Sequence, residues 1–340
     1  MYKIIQKLLF LLPAEMAHHF TLKSLSILNS VGILNLVKSN YSNQQIKVMG
    51  IEFPNRIGLA AGLDKNGEHI KALSNLGFGF VEIGTVTPRP QPGNPKPRLF
   101  RLPAAKAIIN RMGFNNLGVD ELIHNVNKVR GSGFNGIIGI NIGKNFDTAV
   151  EDATKDYLIG LRQSYRYADY VTINISSPNT PGLRTLQYGE ELNNLLAAIK
   201  NEQMKLSLEF KKYIPIAVKV APDLNDEEIK GIAEAILANN MDALIATNTT
   251  LSRDAVNGMR HAKEAGGLSG QPVRDMSTYV IAEFHKYLKD QVPIIGVGGI
   301  SSAQDAQDKL DAGAALLQIY TGLIYKGPKL IKKILEATQK

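Results

Sequence analysis

From about residue 50 onward, short runs of apolar residues recur, and each run ends in Gly, Asn, Thr or Ser. The runs are continuously apolar rather than alternating, which is typical of strands buried on both faces of a parallel sheet. Helical patterns lie between them, such as 226–237, with Asn225 or Asp226 as its cap, and 302–312. The predicted strands are Ile57–Ala61, Phe80–Gly84, Ile137–Ile142, Tyr170–Ile175, Ile216–Val220, Ala243–Ala246, Ile294–Val297 and Leu316–Ile319.

Eight strand–helix units in series predict an α/β protein with the (β/α)8 fold, the TIM barrel. An open α/β sheet with two lobes is the alternative, and a length of 340 residues allows either. The proline-rich interval 86–103 is predicted to be an extended excursion after the second strand. The interval 177–188 contains Pro178, Pro181 and Gly182 and directly follows the fourth strand, so it is a candidate lid.

The first forty residues differ from the rest and are predicted to be helical. Apolar side chains recur over 4–12 and 20–36, on either side of Pro13, with lysines among them and almost no acidic residues. A basic amphipathic helix pair can lie in a membrane interface, but it can equally pack its apolar face on the neighbouring domain. The pattern leaves both open. We therefore expect an N-terminal amphipathic helical segment, 1–40, followed by a barrel domain, 41–340.

Composition narrows the chemistry. The chain has no cysteine, which excludes disulfides, cysteine-held iron–sulfur clusters and zinc sites, and a cysteine nucleophile or base. The net charge is +8, but the basic residues are scattered and no nucleic-acid-binding motif is present. We expect no nucleic acid partner. An anionic ligand together with an anionic membrane surface explains the charge better.

Glycines follow the last two predicted strands. Gly298 and Gly299 come after the seventh strand, and Tyr320-Thr321-Gly322 after the eighth. Tight turns between strand and helix would need such glycines too, but this position in a barrel favours a phosphate held by backbone N–H groups. The segment 266–270, predicted to be a loop, would add donors.

Several strands end in asparagine rather than in a pair of carboxylates. Asn110, Asn174, Asn179 and Asn248 offer amide donors and acceptors, which suit a planar ring with amide edges and do not suit glycosidase chemistry. Each one alone is more often a turn or cap residue. The six histidines are dispersed, so we expect no metal site.

Lys219 lies inside an apolar strand, where a charge needs a partner or a pocket. Three interpretations remain open at this point. Lys219 could form a Schiff base, as in an aldolase, it could stand beside a bound anion, or it could belong to a buried ion pair.

Four longer segments combine these features, namely Ala61–Gly67 (AGLDKNG), Gly93–Arg101 (GNPKPRLFR), Asn110–Asn115 (NRMGFN) and Asn174–Arg184 (NISSPNTPGLR). Together they resemble dihydroorotate dehydrogenase of the membrane-associated, quinone-dependent class (class 2). The resemblance covers essentially the whole chain, including the N-terminal segment. Soluble relatives use a cysteine as catalytic base, and one subclass adds an iron–sulfur subunit. A chain without cysteine fits the quinone-dependent class.

The resemblance implies an FMN-dependent oxidoreductase that oxidises dihydroorotate to orotate in pyrimidine biosynthesis. Ser177 matches the catalytic base, with Thr180 and Phe114 beside it, and Lys219 would stabilise negative charge on the reduced flavin. Thr321 stands where relatives often have Ser. The implied substrate contacts are Lys65, Asn110, Arg111, Met112, Gly113, Phe114, Asn174, Asn179, Asn248 and Thr249. The implied flavin contacts are Ala61, Gly62, Leu63, Asp64, Lys65, Thr85, Asn141, Asn174, Lys219, Thr247, Gly270, Gly299, Tyr320 and Thr321.

The resemblance also implies a membrane quinone as electron acceptor. His18 and Arg101 match positions at the quinone head site, and Tyr320 would stand between this site and the flavin. By pattern alone, His18 would instead be a satisfied histidine at a helix interface. We expect a monomeric, peripheral protein on the cytoplasmic face of the bacterial inner membrane. The alternatives are a Schiff-base aldolase, and a flavin-storage or membrane-docking module without catalysis.

Overall fold

The computed structural model describes residues 2–34 and 45–338. The end of the predicted N-terminal segment, residues 35–40, and the boundary to the barrel lie outside the described residues. Eight parallel strands close into a barrel, so the predicted fold is confirmed and the open sheet is wrong. Around the barrel they are β3 (Ile57–Leu59), β4 (Phe80–Val86), β7 (Ile137–Ile142), β8 (Tyr170–Asn174), β9 (Ile216–Val220), β10 (Ala243–Ala246), β12 (Ile294–Val297) and β13 (Ala314–Ile319).

The barrel strands are buried on both faces, which explains why they are continuously apolar in sequence. An antiparallel hairpin, β1 (Ile46–Val48) and β2 (Ile51–Phe53), precedes the barrel. Its Phe53 packs edge-on against Phe80 at the start of β4, with ring centroids 5.1 Å apart. The hairpin therefore covers the N-terminal end of the barrel.

Helices surround the barrel, and two of them begin as the sequence indicates. The side chain of Asn225 accepts a hydrogen bond from the N–H of Glu228, whose own side chain accepts one from the N–H of Asn225. Ser302 accepts a hydrogen bond from the N–H of Asp305. The helices are Ile70–Ser74, Val119–Gly131, Ala153–Ser164, Gly189–Phe210, Asp226–Ala238, Arg274–Leu288, Ala303–Asp311, Thr321–Lys326 and Lys329–Ala337.

A second sheet stands above the C-terminal ends of the barrel strands. It contains β5 (Leu99–Leu102), β6 (Ala107–Asn110) and β11 (Gly267–Gly270), all antiparallel. The proline-rich excursion thus ends in a strand, and the segment predicted to be a loop at 266–270 is largely a strand. Both segments are extended because they pair with β6, and β11 comes from a distant part of the chain.

Two N-terminal helices, α1 (Tyr2–Leu11) and α2 (Ala14–Ser30), lie beside the barrel. Gln6 donates hydrogen bonds to the Ile324 and Tyr325 carbonyls, and Leu22 is buried, so the pair does pack on the domain. Other apolar side chains point away from it, and Leu11 is 81% exposed. Within the described residues, no helix is long and apolar enough to cross a membrane.

Candidate active site

A cavity opens at the C-terminal ends of the barrel strands, beneath the second sheet. Segments that are far apart in sequence meet there, because parallel strands in a barrel all end on one face. The residues predicted from sequence that line it are Ala61, Gly62, Lys65, Thr85, Asn110, Met112, Gly113, Phe114, Asn174, Ser177, Asn179, Lys219, Thr247, Asn248, Thr249, Gly270, Gly299, Tyr320 and Thr321.

One end of the cavity is formed by glycines that the backbone requires. Gly299 has a φ of +74°, and an added Cβ would lie 2.4 Å from the Cα of Arg274. Gly270 has a φ of +95°, and an added Cβ would lie 2.3 Å from the Lys106 carbonyl oxygen. No other residue fits these positions without displacing backbone. Close approach of backbone N–H groups at the ends of β11 and β12 suits an anionic group such as a phosphate.

Lys219 is buried, at 5% exposure, and lines the cavity from β9. Burial lowers the pKa of Lys219, and the negative charge of Glu82 opposes this shift. Across the described part of the chain, no carboxylate lies within ion-pair distance of its ammonium group. A buried cation without a protein partner is costly, so the site fits an anionic or electron-rich ligand. The buried ion pair considered from sequence is not formed.

Four asparagine side chains line another part of the cavity, which we call the asparagine wall: Asn110, Asn174, Asn179 and Asn248. Asn174 donates to the hydroxyl of Thr85 over 2.9 Å, and Asn248 donates to the hydroxyl of Ser176 over 3.0 Å. Asn179 donates to the Asn110 carbonyl over 3.2 Å. These amides are fixed by their partners, and all four asparagines line the cavity.

Ser177 is buried at the edge of this wall, and its hydroxyl accepts a hydrogen bond of 3.2 Å from the N–H of Asn179. The nearby hydroxyl of Thr180 is buried and has no hydrogen-bond partner among the described residues. No direct hydrogen bond joins Ser177 to Thr180 in the described structure. A proton relay between them therefore needs a bridging water molecule.

The cation next to the asparagines is Lys65. Burial, and next the charge of Arg98, lower the pKa of Lys65 to about 8. It is therefore mostly protonated near neutral pH and can pair with an anionic substrate.

Four predicted contact residues do not reach the cavity wall. Leu63 lines a different cavity, and Asp64 accepts hydrogen bonds from backbone N–H groups of the turn that follows it. Arg111 pairs with Glu264, with 2.7 Å between their nearest charged atoms. Asn141 is completely buried beneath the wall. The side chains of these four residues lie outside the lining of this cavity, and their contacts with flavin or substrate stay predictions.

A second cavity of about 320 Å³ lies between the helices α1 and α2 and the barrel, and its wall is mostly apolar. His18, Arg101 and Tyr320 all line it, so the structure brings together the three residues of the predicted quinone site. Burial, helped by the Lys65 charge, lowers the pKa of His18 to about 3, so its imidazole is neutral near pH 7. Arg101 donates to the Leu9 and Leu12 carbonyls at the end of α1. Tyr320 lines both cavities.

Three polar residues near the site were not identified from sequence. Glu82 and Gln318 are completely buried inside barrel strands, and Asp223 forms an ion pair with Arg184 of the candidate lid. The signal for Glu82 was the same as for Lys219, a charge inside an apolar strand. For Asp223 no local signal existed, because its partner lies 39 residues away in sequence.

Comparison with known proteins gives one consistent result. The family model for dihydroorotate dehydrogenase matches residues 43–340. A protein of Shewanella pealeana named dihydroorotate dehydrogenase (quinone) is 55% identical over 336 residues, which cover 99% of this chain and 98% of that protein. A protein of the same name from Vibrio parahaemolyticus is 54% identical, covering 99% of both. A crystal structure of the Eimeria tenella DHODH in complex with ferulenol superposes with a TM-score of 0.87 at 39% identity, covering 95% of this chain and 90% of that one.

Proposed function

Because the chain belongs to the dihydroorotate dehydrogenase family, as one of its quinone-dependent flavin oxidoreductases, we propose that it binds FMN in the cavity at the strand ends. Its reaction is the oxidation of dihydroorotate to orotate in pyrimidine biosynthesis. The residues present fit FMN. The glycine cradle of Gly270 and Gly299 suits its phosphate, and Lys219 offers an unpaired ammonium group for its ring. The chemistry that FMN supplies when bound is acceptance of a hydride and later release of two electrons.

Dihydroorotate would be held between this flavin and the asparagine wall. Lys65 pairs with the substrate carboxylate, and the amides of Asn110, Asn174, Asn179 and Asn248 meet the polar edges of the ring. A ligand with one negative charge and several amide groups matches one cation and four asparagines. This combination of groups around one cavity is the observation that carries the proposal.

Ser177 would remove the C5 proton of dihydroorotate. A serine hydroxyl is a weak base, so it needs a closed site and an acceptor for its own proton. Thr180 supplies a buried hydroxyl with no other partner, and a trapped water would join the two. The Arg184-bearing lid, residues 177–188, would keep bulk water out.

The test is reduction of the bound flavin by dihydroorotate without oxygen. The reduction is monitored in a stopped-flow instrument as the loss of the yellow colour of the flavin. Ser177→Ala should slow this step by orders of magnitude while FMN content stays normal. Thr185→Ala, which removes an exposed hydroxyl from the same lid, should react as the unaltered protein does. If Ser177→Ala reduces its flavin at a near-normal rate, then Ser177 is not the base.

The quinone would reach the flavin through the second cavity, with His18 and Arg101 at its head group and Tyr320 at the inner wall. We propose that α1 and α2 place this cavity at the cytoplasmic face of the bacterial inner membrane, as a peripheral attachment of a monomeric enzyme. Exposed apolar side chains on α1, Leu8 at 61% and Leu11 at 81%, support this proposal.

Vesicle sedimentation tests the attachment. Replacing Leu8 and Leu11 together by Ser should release the protein from vesicles of anionic phospholipid. The matched control replaces Met204 and Leu208, exposed apolar residues of the helix Gly189–Phe210, by Ser and should leave binding unchanged. Equal binding by both double variants would contradict the proposed attachment. The aldolase and storage-module alternatives are set aside, because the full-length relatives are named as dehydrogenases.

A further inference from the structure

Glu82 is a buried acid to which the proposed function gives no role. It lies on β4, completely buried inside the barrel. One carboxylate oxygen accepts a hydrogen bond of 2.8 Å from the side-chain amide of Asn141. The other accepts hydrogen bonds from the hydroxyl of Tyr170, at 2.9 Å, and from the side-chain amide of Gln318, at 2.6 Å. A buried carboxylate needs hydrogen-bond donors as partners. Here the carboxylate also fixes the orientation of the partner side chains.

A carboxylate only accepts hydrogen bonds, so Asn141 must turn its NH2 group toward Glu82. The carbonyl oxygen of the Asn141 amide then faces the other way, where it accepts from Thr85 at 2.5 Å and from Asn174 at 3.2 Å. Since Thr85 donates its only hydroxyl proton to Asn141, it can only accept from Asn174, which donates to it over 2.9 Å. The orientation of Asn174 follows from that of Glu82.

The hydrogen bonds keep the same direction beyond Asn174, toward the residues that would contact the substrate. With its NH2 group used toward Thr85, Asn174 presents its oxygen to the hydroxyl of Ser176, which donates to it over 3.1 Å. Ser176 in turn accepts from the amide of Asn248 over 3.0 Å. Hydrogen bonds thus run one way, from Asn248 through Ser176, Asn174, Thr85 and Asn141, and end on Glu82. We name these six residues the amide chain.

One further observation supports a directing role for Glu82. The side-chain oxygen of Gln318 is buried with no hydrogen-bond partner in the described structure, because the carboxylate takes its NH2 group and repels its oxygen.

We propose that Glu82 is a positioning residue that sets the direction of the amide chain, and so the orientation in which Asn174 and Asn248 meet the substrate. This rests on the proposed function, because it assumes that flavin and substrate occupy the cavity at the strand ends.

The test is Glu82→Gln, which keeps size and shape but replaces an obligate acceptor by an amide that can point either way. The chain then loses its imposed direction, so the Kd of orotate, measured by perturbation of the flavin spectrum, should rise at least threefold. The FMN content of Glu82→Gln should stay normal, which a general loss of structure would not allow.

Tyr170→Phe is the matched control, because it removes one donor to Glu82 while keeping the carboxylate and the amide chain. It should leave the orotate Kd within twofold of that of the unaltered protein. If Glu82→Gln also leaves the orotate Kd within twofold, the inference is wrong. If Glu82→Gln does not fold, Thr85→Val cuts the chain in the middle. It should weaken orotate binding, and Thr85→Ser, which restores the hydroxyl, should rescue it; equal affinities in these two variants would also overturn the inference.

Measurements on the unaltered protein distinguish a failure of the proposed function from a failure of the role of Glu82. If it contains no FMN, or if dihydroorotate does not bleach it without oxygen, the proposed function itself fails. If it bleaches normally and Glu82→Gln behaves like Tyr170→Phe, only the role of Glu82 is refuted.

Discussion

Arg184 fastens the candidate lid, residues 177–188, and its removal should slow catalysis without releasing the flavin. Its guanidinium group donates to the Ser176 carbonyl over 3.1 Å, to the carboxylate of Asp223 over 2.8 Å and to the Thr249 carbonyl over 2.8 Å. These three acceptors follow β8, β9 and β10, so one side chain joins the lid to three strand ends. Asp223 is held in place by Thr250, which donates to its other carboxylate oxygen.

The size of the effect follows from these contacts. A hydrogen bond to a charged group contributes about 1.5 to 3 kcal/mol net, and the partly exposed ion pair lies toward the lower end of this range. Since about 1.4 kcal/mol corresponds to a factor of ten, Arg184→Ala should shift the lid toward its open form by about 10- to 100-fold. Arg184→Lys keeps the charge but not the planar fork, so it should recover only part of this loss.

The assay is single-turnover reduction of the flavin by dihydroorotate in Arg184→Ala, Asp223→Asn and the double variant. The flavin should stay bound, because the glycine cradle lies on the far side of the cavity. The two single substitutions should not be additive, since they break the same contact. Unchanged reduction rates in Arg184→Ala, or full additivity in the double variant, would show that this contact does not hold the lid.

Three further predictions concern the cavity and its support. Gly299→Ala should purify with little FMN, because the new Cβ would lie 2.4 Å from the Cα of Arg274 at a φ of +74°. Gly231→Ala is the control, because an added Cβ there meets open space. Equal flavin content in the two variants would contradict the proposal that Gly299 helps to hold the FMN phosphate. The affinity for orotate should fall as the pH rises through about 8, where Lys65 loses its charge. A spectral titration that gives a constant orotate Kd from about pH 6 to about pH 9.5 would contradict the pairing of Lys65 with the substrate carboxylate. Burial lowers the pKa of Lys309 to about 7, below its unfolded value of about 10.4, so the unfolded state binds more protons between these values and stability rises with pH there. In urea unfolding, the wild-type free energy should therefore increase relative to Lys309→Met by about 1 kcal/mol per pH unit between pH 7 and about pH 10, and parallel pH profiles would refute the shift.

The barrel was predictable because its signal is local. A parallel strand covered on both faces must be apolar at nearly every position, so each of the eight strands stands out in sequence, and the structure moves their ends by no more than two residues. The glycine positions after the last two strands were equally visible. So was Lys219, because a charge is rare in an apolar run.

The second sheet could not be predicted, because its signal is not local. β5 is a short segment between prolines, and β11 is a glycine-rich segment that pairs with β6 from about 160 residues away. Neither has a strand pattern of its own, and each becomes extended only through its partner. Glu82 was missed for a different reason. Its charge was visible in β4, but its role depends on the direction of hydrogen bonds through residues on β7 and β8 and directly after β10.

Tyr320 is shared by the walls of the two cavities, and under the proposed function this arrangement would separate the two half-reactions. Tyr320 lines both the cavity at the strand ends and the cavity beneath α1 and α2. Burial raises the pKa of Tyr320 to about 12, so its phenol is neutral at physiological pH and adds no charge to either side. One side offers amides and lysines to a polar anion, and the other offers an apolar wall with a neutral His18. With flavin and quinone bound as proposed, this neutral wall would let electrons pass over a short distance while it keeps dihydroorotate and quinone apart. The two substrates would then not compete, and substitutions at Ser177 and at His18 should each slow only one half-reaction.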